Sequence, residues 1–459
     1  MVSRRKSPPR FEGPCTHCEH VKDCAPYKEL SAHLFSHAKF QKEVPLSPMD
    51  EALDAVVEGF VASLRSLRAD GLMQPESLGN ALSALVDFCI TGIYTNGLID
   101  DQAQFTQAGV RCGHGQVVFP YTWMCPICVA MGSARQACYL PSAERKERNG
   151  SVRDYPRVER LAKPGGRAIG DQGIQAVKAL LRAVLRASGT GARLRDGGGS
   201  RGEFDLTVAT DTALAFIEVK AKPLIAYPLL VDGEFAASEK PTPKHEWVSV
   251  KMESATRLTL LLGAINECLP LSAPSAANVK TWPLPDMARI SADRTAVAKI
   301  IANWAEQASA YTQWTDEPDR LRWHRFGCGN FHVTEEDGTR VEKRVANTKE
   351  LPGLDRTDDI KKGAAQVLKY SRLKFQCKKH ALRAVLLGNT HALTHHDDYV
   401  APILHLKVVD SESDPARAEW IFDAMIGLTR NQFNAPELAK LFAFSALLDE
   451  PLPPADISK

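Results

Sequence analysis

The sequence lacks a long apolar segment. No run of 18 or more apolar residues occurs in its 459 positions, and no apolar stretch follows the basic residues near the first position. A transmembrane helix needs about 20 predominantly apolar residues, and a secretory signal needs an apolar stretch after its basic residues. We therefore expect a soluble, unsecreted protein with no membrane partner.

The chain also lacks a phosphate-binding loop of the form G-x4-G-K-[ST] and a strong excess of charge of either sign. The missing loop argues against an ATPase and predicts no nucleotide cofactor. The formal net charge is only +2, so any nucleic-acid surface must come from local clusters of basic residues. With 44% hydrophobic residues, the chain can bury the cores of two or three domains.

Cysteine, by contrast, is plentiful, with 11 residues that are unevenly spread. Two groups stand out: Cys15, Cys18 and Cys24, then Cys112, His114, Cys125, Cys128 and Cys138. In an unsecreted protein such spacing favours metal ligands over disulfides, and the second group has the form of a zinc ribbon. Either Cys112, His114, Cys125 and Cys128 close one site, or Cys15 and Cys18 complete a site with Cys125 and Cys128. Free buried thiols are the remaining alternative.

Residues 202–222 predict a β-hairpin with charged side chains in an apolar strand. Its strands are expected from Glu203 to Ala209 and from Ala213 to Lys220, joined at a Thr-Asp-Thr turn. The second strand is apolar at nearly every position except Glu218 and Lys220. A carboxylate and an ammonium are costly in a buried strand unless charged groups lie beside them.

Alternation along the strand places Glu218 and Lys220 on one face. Pairing with the preceding strand brings Asp205 alongside, and Glu203 is a further candidate. Carboxylate oxygens and water are the ligands that Mg²⁺ accepts. A neighbouring lysine stabilises a hydroxide or the charge that develops on a phosphate. The alternative is an edge strand with a surface glutamate and lysine.

The spacing of these residues resembles the PD-(D/E)XK nuclease superfamily. Asp205 is followed by twelve residues and then Glu218-Val219-Lys220, although Phe204 stands where the family often has proline. The resemblance implies a mixed α/β sheet with the element order αβββαβ. It also implies that Asp205 and Glu218 hold one or two Mg²⁺ ions, with the Val219 carbonyl as a further ligand, and that Lys220 helps to generate or orient the attacking hydroxide.

Further residues extend this resemblance. Gln366 and Tyr370 have the Q-x3-Y spacing of RecB-type members, which adds Gln366 as a catalytic candidate. A helix predicted over residues 170–188 would cover the sheet and could contribute Asp171. The spacing of Cys15, Cys18 and Cys24 resembles the iron–sulfur arrangement of some RecB-type nucleases, which leaves an iron–sulfur cluster as an alternative to zinc.

The most basic segment of the chain is the one that contains Gln366 and Tyr370, where the core is predicted to resume. Its cations suit contact with the DNA backbone: Lys361, Lys362, Lys369, Arg372 and Lys374. A charged helix face is nonetheless often only solvated. A histidine- and aspartate-rich stretch, residues 391–398, has metal-ligand residue types but the composition of a solvated loop.

The sequence divides into five predicted regions. They are a Cys-rich metal-binding helical module (1–141), a basic linker (142–168), a first part of the nuclease core (169–222), a large α/β insertion for target recognition (223–355), and a second core part with C-terminal helices (356–459). Helices are expected at 249–268, 292–313, 416–428 and 435–448, a hairpin at 323–345, and strands at 380–390 and 400–409.

These expectations describe a Mg²⁺-dependent, sequence-specific double-stranded DNA endonuclease similar to type II restriction enzymes, in a prokaryotic cytoplasm. Cutting both strands with one site per chain favours a homodimer. The alternatives are a partner-guided defence or repair nuclease of the same fold, and a zinc-containing DNA-binding protein without catalysis.

Overall fold

The structure is a computed structural model. It describes residues 45–111, 116–119, 139–146, 152–158, 166–197, 204–210, 213–225, 227–235, 246–265, 267–312, 330–334, 340–344, 352–376, 381–410 and 414–449. Every residue of the two predicted cysteine groups lies outside these ranges, as does Glu203. The zinc and iron–sulfur hypotheses therefore stay predictions.

The described residues form α-helices and β-strands in alternation along much of the chain. The α-helices are α1 Pro48–Ala69, α2 Leu78–Asn96, α3 Gly166–Ser188, α4 Leu284–Ser291, α5 Arg294–Thr312, α6 Thr357–Gln376, α7 Ala401–Leu404 and α8 Pro436–Leu441. The strands are β1 Gly109–Arg111, β2 Val117–Phe119, β3 Tyr139–Lys146, β4 Val152–Val158, β5 Arg193–Asp196, β6 Leu206–Ala209, β7 Ala213–Val219, β8 Leu229–Gly233, β9 Glu246–Val248, β10 Ala255–Leu262, β11 Glu267–Leu271, β12 Asn330–Thr334, β13 Arg340–Arg344, β14 Ala381–Gly388, β15 Lys407–Asp410, β16 Asp414–Trp420, β17 Ala424–Gly427 and β18 Arg430–Phe433.

One six-stranded sheet is mixed, with the order β18-β17-β14-β7-β6-β5. Strands β5, β6 and β7 are antiparallel neighbours, whereas β14 runs parallel to both β7 and β17. Helix α3 precedes β5, and α6 lies in sequence between β7 and β14. This mixed sheet confirms the predicted α/β class.

A second six-stranded sheet is antiparallel throughout, with the order β11-β10-β8-β2-β1-β9. Its strands β1 and β2 come from the predicted N-terminal module, and the other four come from the predicted insertion. These two regions of the sequence therefore build one sheet. Strands β3 and β4, which fall largely in the predicted linker, form an antiparallel pair.

Helix α1 packs against α3, which precedes the mixed sheet in sequence, and against α4, which follows β11. Ser47 caps α1, its hydroxyl accepting a hydrogen bond from the Asp50 amide at 3.1 Å. Arg182 of α3 donates from Nε to Asp54 at 2.8 Å and from Nη1 to Asp50 at 2.9 Å. Gly59 of α1 lets its backbone approach α4, since a Cβ there would lie 3.0 Å from the Ala288 oxygen. One buried apolar cluster consequently spans residues of both large sheets.

Residues 75–96, which include α2, are long and apolar enough to cross a membrane by length and composition. Of their most apolar window, 78% is buried inside the protein. The helix is surrounded by the core, as Leu85, Phe88 and Ile90 are fully buried. Such burial is typical of a core helix, and the expectation of no membrane partner stays a prediction.

Two helix predictions are wrong. Residues 249–268, expected to be helical, contain β10, which pairs with β8 and β11. Residues 416–428 contain β17, which pairs in parallel with β14. Short apolar runs fit either a buried strand or a buried helix, and only pairing with neighbouring strands decides between them.

Other local predictions fare better. The helices expected at 170–188 and 292–313 are α3 and α5, and the hairpin expected at 323–345 contains β12 and β13. The strand expected at 380–390 is β14. The strand expected at 400–409 is wrong over its first half, because Pro402 lies in the first turn of the short helix α7, where its fixed φ is accommodated.

Candidate active site

The predicted hairpin places the candidate residues side by side. Leu206 of β6 pairs with Ile217 of β7, and the Asp205 amide donates to the Ile217 carbonyl at 3.2 Å. Continuing this antiparallel register by one residue sets Asp205 opposite Glu218. The Asp205 carboxylate is held in place because Oδ2 accepts a hydrogen bond from the Val219 amide at 2.7 Å.

Glu218 and Lys220 form an ion pair. The Lys220 ammonium donates to Glu218 Oε1, and its Nζ also lies 3.4 Å from the Val219 carbonyl oxygen. The Glu218 side chain is 10% exposed and that of Lys220 16% exposed. The pair is therefore sheltered from water but retains an opening to the surface.

The site lies at the carboxyl end of parallel strands. The Lys220 amide donates to the Leu387 carbonyl at 2.7 Å, which ties the end of β7 to the end of β14. In open α/β sheets, ligands bind in the crevice outside the carboxyl ends of the strands. The position of the three side chains agrees with this general rule.

Helix α3 approaches the site closely at Gly173. A Cβ at this position would lie 2.2 Å from the Ala221 carbonyl oxygen, one residue after Lys220, so a larger residue would force the backbones apart. Asp171, two residues earlier in the same helix, acts electrostatically on Asp205. Its side chain is 61% exposed and lies 3.8 Å from Arg167, so it borders the site from the solvent side.

The proximity of Glu218 changes the acid–base chemistry of Asp205. Burial and the neighbouring Glu218 charge raise the pKa of Asp205 to about 6. The Val219 amide and the Lys220 ammonium oppose this rise. Two like charges forced together in a sheltered site are favourable only with a bound cation or proton.

The donor set suits Mg²⁺. This ion binds through one or two carboxylates and retains several waters. Asp205 uses Oδ2 and Glu218 uses Oε1 in the hydrogen bonds above, so each carboxylate has a second oxygen for a ligand. In the part of the chain that the structure describes, no group of three or more His, Cys, Asp or Glu side chains is placed to hold a metal.

The remaining candidates are distributed along α6. Gln366 is half-buried, and Lys361 and Lys362 are exposed near the start of the helix. The Lys361 ammonium lies 5.4 Å from the centroid of the Tyr399 ring, a cation–π distance. Lys369 and Arg372 belong to the same helix.

Lys374 requires a correction, because it is not available to DNA. Its side chain is 2% exposed and forms an ion pair with Asp423, and Nζ also donates to the Trp420 carbonyl at 2.5 Å. The prediction of a DNA-contacting Lys374 is therefore wrong. The sequence alone does not distinguish a lysine on the buried face of a helix from a lysine on its exposed face.

Sequence reasoning missed three charged residues that border the site. Lys222 follows Lys220 by two positions, and the charged side chains at alternate positions, Glu218, Lys220 and Lys222, were a signal for it. Arg356 directly precedes α6. Asp87 of α2 is buried, and its Oδ2 accepts hydrogen bonds from the amides of Leu224 and Ile225, just after the site strand. No local pattern marked Asp87.

The histidine- and aspartate-rich stretch is more ordered than expected. His391 Nε2 lies 2.8 Å from His396 Nδ1, and the buried Asp355 accepts hydrogen bonds from the amides of Thr394 and His395 at 2.8 and 2.9 Å. Burial and the nearby His396 lower the pKa of His391 to about 4. The prediction of a solvated loop is thus wrong for His391, which is 3% exposed.

Comparison of the chain with protein-family models, with curated proteins and with solved structures gave no match. The chemistry of the site therefore carries the functional inference. That chemistry consists of two adjacent carboxylates and one lysine at the carboxyl end of β7, a strand of the mixed sheet.

Proposed function

We propose that this chain is a Mg²⁺-dependent DNA endonuclease of the PD-(D/E)XK superfamily, similar to type II restriction enzymes. The observation that carries the proposal is the position of Asp205 opposite Glu218, with Lys220 paired to Glu218. This arrangement brings two carboxylates and one ammonium to a single point at the carboxyl end of β7, an interior strand of the sheet. A match of the sequence pattern on segments that do not pair would leave the three side chains apart.

The order of elements supports the same proposal. Helix α3, strands β5, β6 and β7, helix α6 and strand β14 follow the order αβββαβ. Within it, β14 pairs in parallel with β7, the strand that ends at the candidate site. The second sheet and the N-terminal helices are additions to this core.

The reaction is the hydrolysis of a phosphodiester. A bond forms between a water oxygen and phosphorus, and the bond from phosphorus to the 3′ oxygen breaks. The water loses a proton to solvent, and the 3′ oxygen gains one. When bound, Mg²⁺ supplies the charge that stabilises the additional negative charge on the phosphate.

The chain's own residues position these groups. The Val219 amide fixes the orientation of Asp205, and Lys220 fixes that of Glu218, so both carboxylates are preorganised to hold the ion. The Lys220 ammonium can also donate a hydrogen bond to the attacking water or to a phosphate oxygen, where its charge favours the transition state. The sheltered position of Glu218 and Lys220 strengthens these interactions.

The test is cleavage of a long DNA of varied sequence in the presence of Mg²⁺. Wild type is compared with Lys220→Ala and with Lys280→Ala, a matched control that removes an exposed lysine from the segment before α4. We expect discrete fragments from wild type and from Lys280→Ala, and a cleavage rate lower by about 100- to 1,000-fold for Lys220→Ala. The products are sized on a gel.

Other outcomes would count against this proposal in different ways. A smear from wild type would favour a nuclease that takes its targeting from a partner. Intact DNA that still migrates more slowly with the protein would favour a binder without catalysis. The homodimer stays a prediction, to be checked by the mass of the particle in solution.

A further inference from the structure

Helix α2 carries polar side chains on one face of its buried, largely apolar surface. Ser83, Asp87 and Thr91 recur every four residues, which places them on the same face of the helix. All three residues are at most 1% exposed. Burial of a carboxylate is costly unless hydrogen bonds compensate for the lost water, so the partners of Asp87 indicate what it holds.

Four donors converge on the Asp87 carboxylate, and three of them belong to the loops after β7 and β14. Oδ2 accepts hydrogen bonds from the amides of Leu224 and Ile225 at 2.9 and 3.1 Å. Oδ1 accepts a hydrogen bond from Asn389 Nδ2 at 2.6 Å. The fourth donor, Trp304 Nε1 of α5, lies 3.0 Å from Oδ2. An ionised carboxylate, which only accepts hydrogen bonds, matches such a set of donors.

The loop after β14 is attached to α2 a second time. Ser83 Oγ donates to the Asn389 carbonyl at 2.5 Å, so both the main chain and the side chain of Asn389 are held. Two residues before Asn389, the Leu387 carbonyl accepts the hydrogen bond from the Lys220 amide. Helix α2 therefore holds β14 directly beyond the bond that joins the two strands at the candidate site.

The chain from Lys220 to Leu224 is restrained along its length. The Lys222 carbonyl accepts a hydrogen bond from the Gly353 amide at 3.0 Å, and the ring of Pro223 fixes the next φ angle. Leu224, four residues after Lys220, is then held by the carboxylate on α2. Such a segment has little freedom to absorb a displacement, so a shift of Leu224 would move the end of β7.

We propose that Asp87 is a positioning residue of the nuclease, whose carboxylate aligns the ends of β7 and β14 so that Lys220 keeps its place beside Glu218. It acts through the main chain of the two loops. The inference rests on the proposed nuclease function and adds to it a residue from outside the αβββαβ core. A displacement of about 1 Å in a catalytic group can lower a rate about 100-fold, so the effect is expected in the cleavage step.

The test compares two variants that each remove one hydrogen bond to Asp87. Asn389→Ala removes the donor on the loop after β14, whereas Trp304→Phe removes the donor on α5 and leaves both loops attached. Cleavage of DNA by the full chain with Mg²⁺ is measured as a function of DNA concentration. We expect Asn389→Ala to lower kcat about 10- to 100-fold with KM for DNA within about twofold, and Trp304→Phe to keep kcat within about twofold.

Asn96→Ala is a matched control, because it makes the same substitution in α2 at a different contact. Asn96 Nδ2 donates to the carbonyls of Val279 and Trp282 in the segment before α4, and its loss should leave kcat at the wild-type value. Asp87→Asn turns an N–H group toward donors and should lower kcat at least as far as Asn389→Ala. Circular dichroism at the assay temperature checks that each variant is folded; if Asp87→Asn is unfolded, Asn389→Ala and Trp304→Phe decide the question.

Two results would overturn the positioning role and leave the nuclease standing, both with a wild type that cleaves DNA. In the first, kcat falls equally in Asn389→Ala and Trp304→Phe or falls in neither, as a merely structural Asp87 predicts. In the second, Asn389→Ala raises KM for DNA while kcat stays unchanged. A wild type that does not cleave DNA would overturn the proposed function and this inference together.

Discussion

Two lysine–carboxylate pairs lie beside strands of the same mixed sheet, and they differ in what surrounds them. Lys374 and Asp423 are almost entirely enclosed, with side chains 2% and 1% exposed. Asp423 also accepts a hydrogen bond from the Ala384 amide at 2.7 Å. Here the Lys374 ammonium meets the Asp423 carboxylate, whose Oδ1 also lies 3.7 Å from Arg383 Nη1, and main-chain groups supply further hydrogen bonds.

The pair at the candidate site has a different balance. Lys220 and Glu218 are joined by a second carboxylate, that of Asp205, so the negative charge exceeds the positive charge at this point. A balanced and enclosed pair stabilises a unique fold, whereas a surplus of carboxylate at an opening creates a site for a cation. Local charge balance and exposure to solvent therefore distinguish the structural lysine, Lys374, from the candidate functional lysine, Lys220.

The largest expected effect is on stability at the enclosed pair. Lys374→Met leaves the buried Asp423 without its main cation and should lower the free energy of unfolding by about 3 to 5 kcal/mol. The double variant Lys374→Met/Asp423→Asn should recover more than half of this loss, since no charge is left uncompensated. Urea unfolding at pH 7 measures both; a loss below about 1 kcal/mol for Lys374→Met would contradict the assignment.

The next effect concerns the pH dependence of cleavage. The pKa of Asp205 is raised to about 6, and its carboxylate must be ionised to hold a cation. We expect the cleavage rate to fall about tenfold per pH unit below pH 6 and to level off above it. Higher Mg²⁺ should shift this acid limb to lower pH, because the ion competes with the proton. A rate independent of pH between 5 and 7, with the fold intact by circular dichroism, would count against Asp205 as a ligand.

The smallest expected effect is a gain in stability at the candidate site. Because the pKa of Asp205 is raised, the stability contributed by its proton is present at low pH and is lost as the pH rises through about 6. Asp205→Asn should therefore raise the free energy of unfolding by about 1 kcal/mol at pH 8 and change it little at pH 4. The amide oxygen of asparagine can still accept the Val219 hydrogen bond. Unfolding curves at the two pH values test the sign, and a clear loss of stability at pH 8 would place Asp205 with the structural residues.

Local sequence was a good guide where one element contains the signal. The periodicity of α3 and α5 predicted helices, and the turn between β6 and β7 predicted a hairpin with Asp205 beside Glu218. Both predictions depend on residues that are close in sequence. In such a segment the apolar repeat of 3.6 residues indicates a helix and the repeat of 2 residues indicates a strand. The same reasoning failed at β10 and β17, since pairing with distant strands decided their conformation.

Long-range packing also determined the architecture. Asp87 of α2 accepts hydrogen bonds from Leu224 and Ile225 and, at Oδ1, from Asn389 Nδ2 at 2.6 Å. A residue of the N-terminal helices thus ties together the loops after β7 and β14, the two strands that meet at the site. Burial raises the pKa of Asp87 to about 7, although the hydrogen bonds that its carboxylate accepts act to lower this pKa. The sequence treated these helices as a separate module, since a single buried aspartate in an apolar helix does not reveal its partners.

By itself, the sequence determined the α/β class, the hairpin of the candidate site, and the convergence of Asp205, Glu218 and Lys220, because strand alternation and a short turn fix these positions locally. Only the tertiary structure decided that Lys374 is enclosed with Asp423, that Lys222 interacts electrostatically with Arg356 and Lys362, and that strands β1 and β2 share a sheet with β8, β9, β10 and β11. The physical reason is that burial and charge balance depend on which distant segments pack together, and neither quantity is encoded in the spacing of residues along one element.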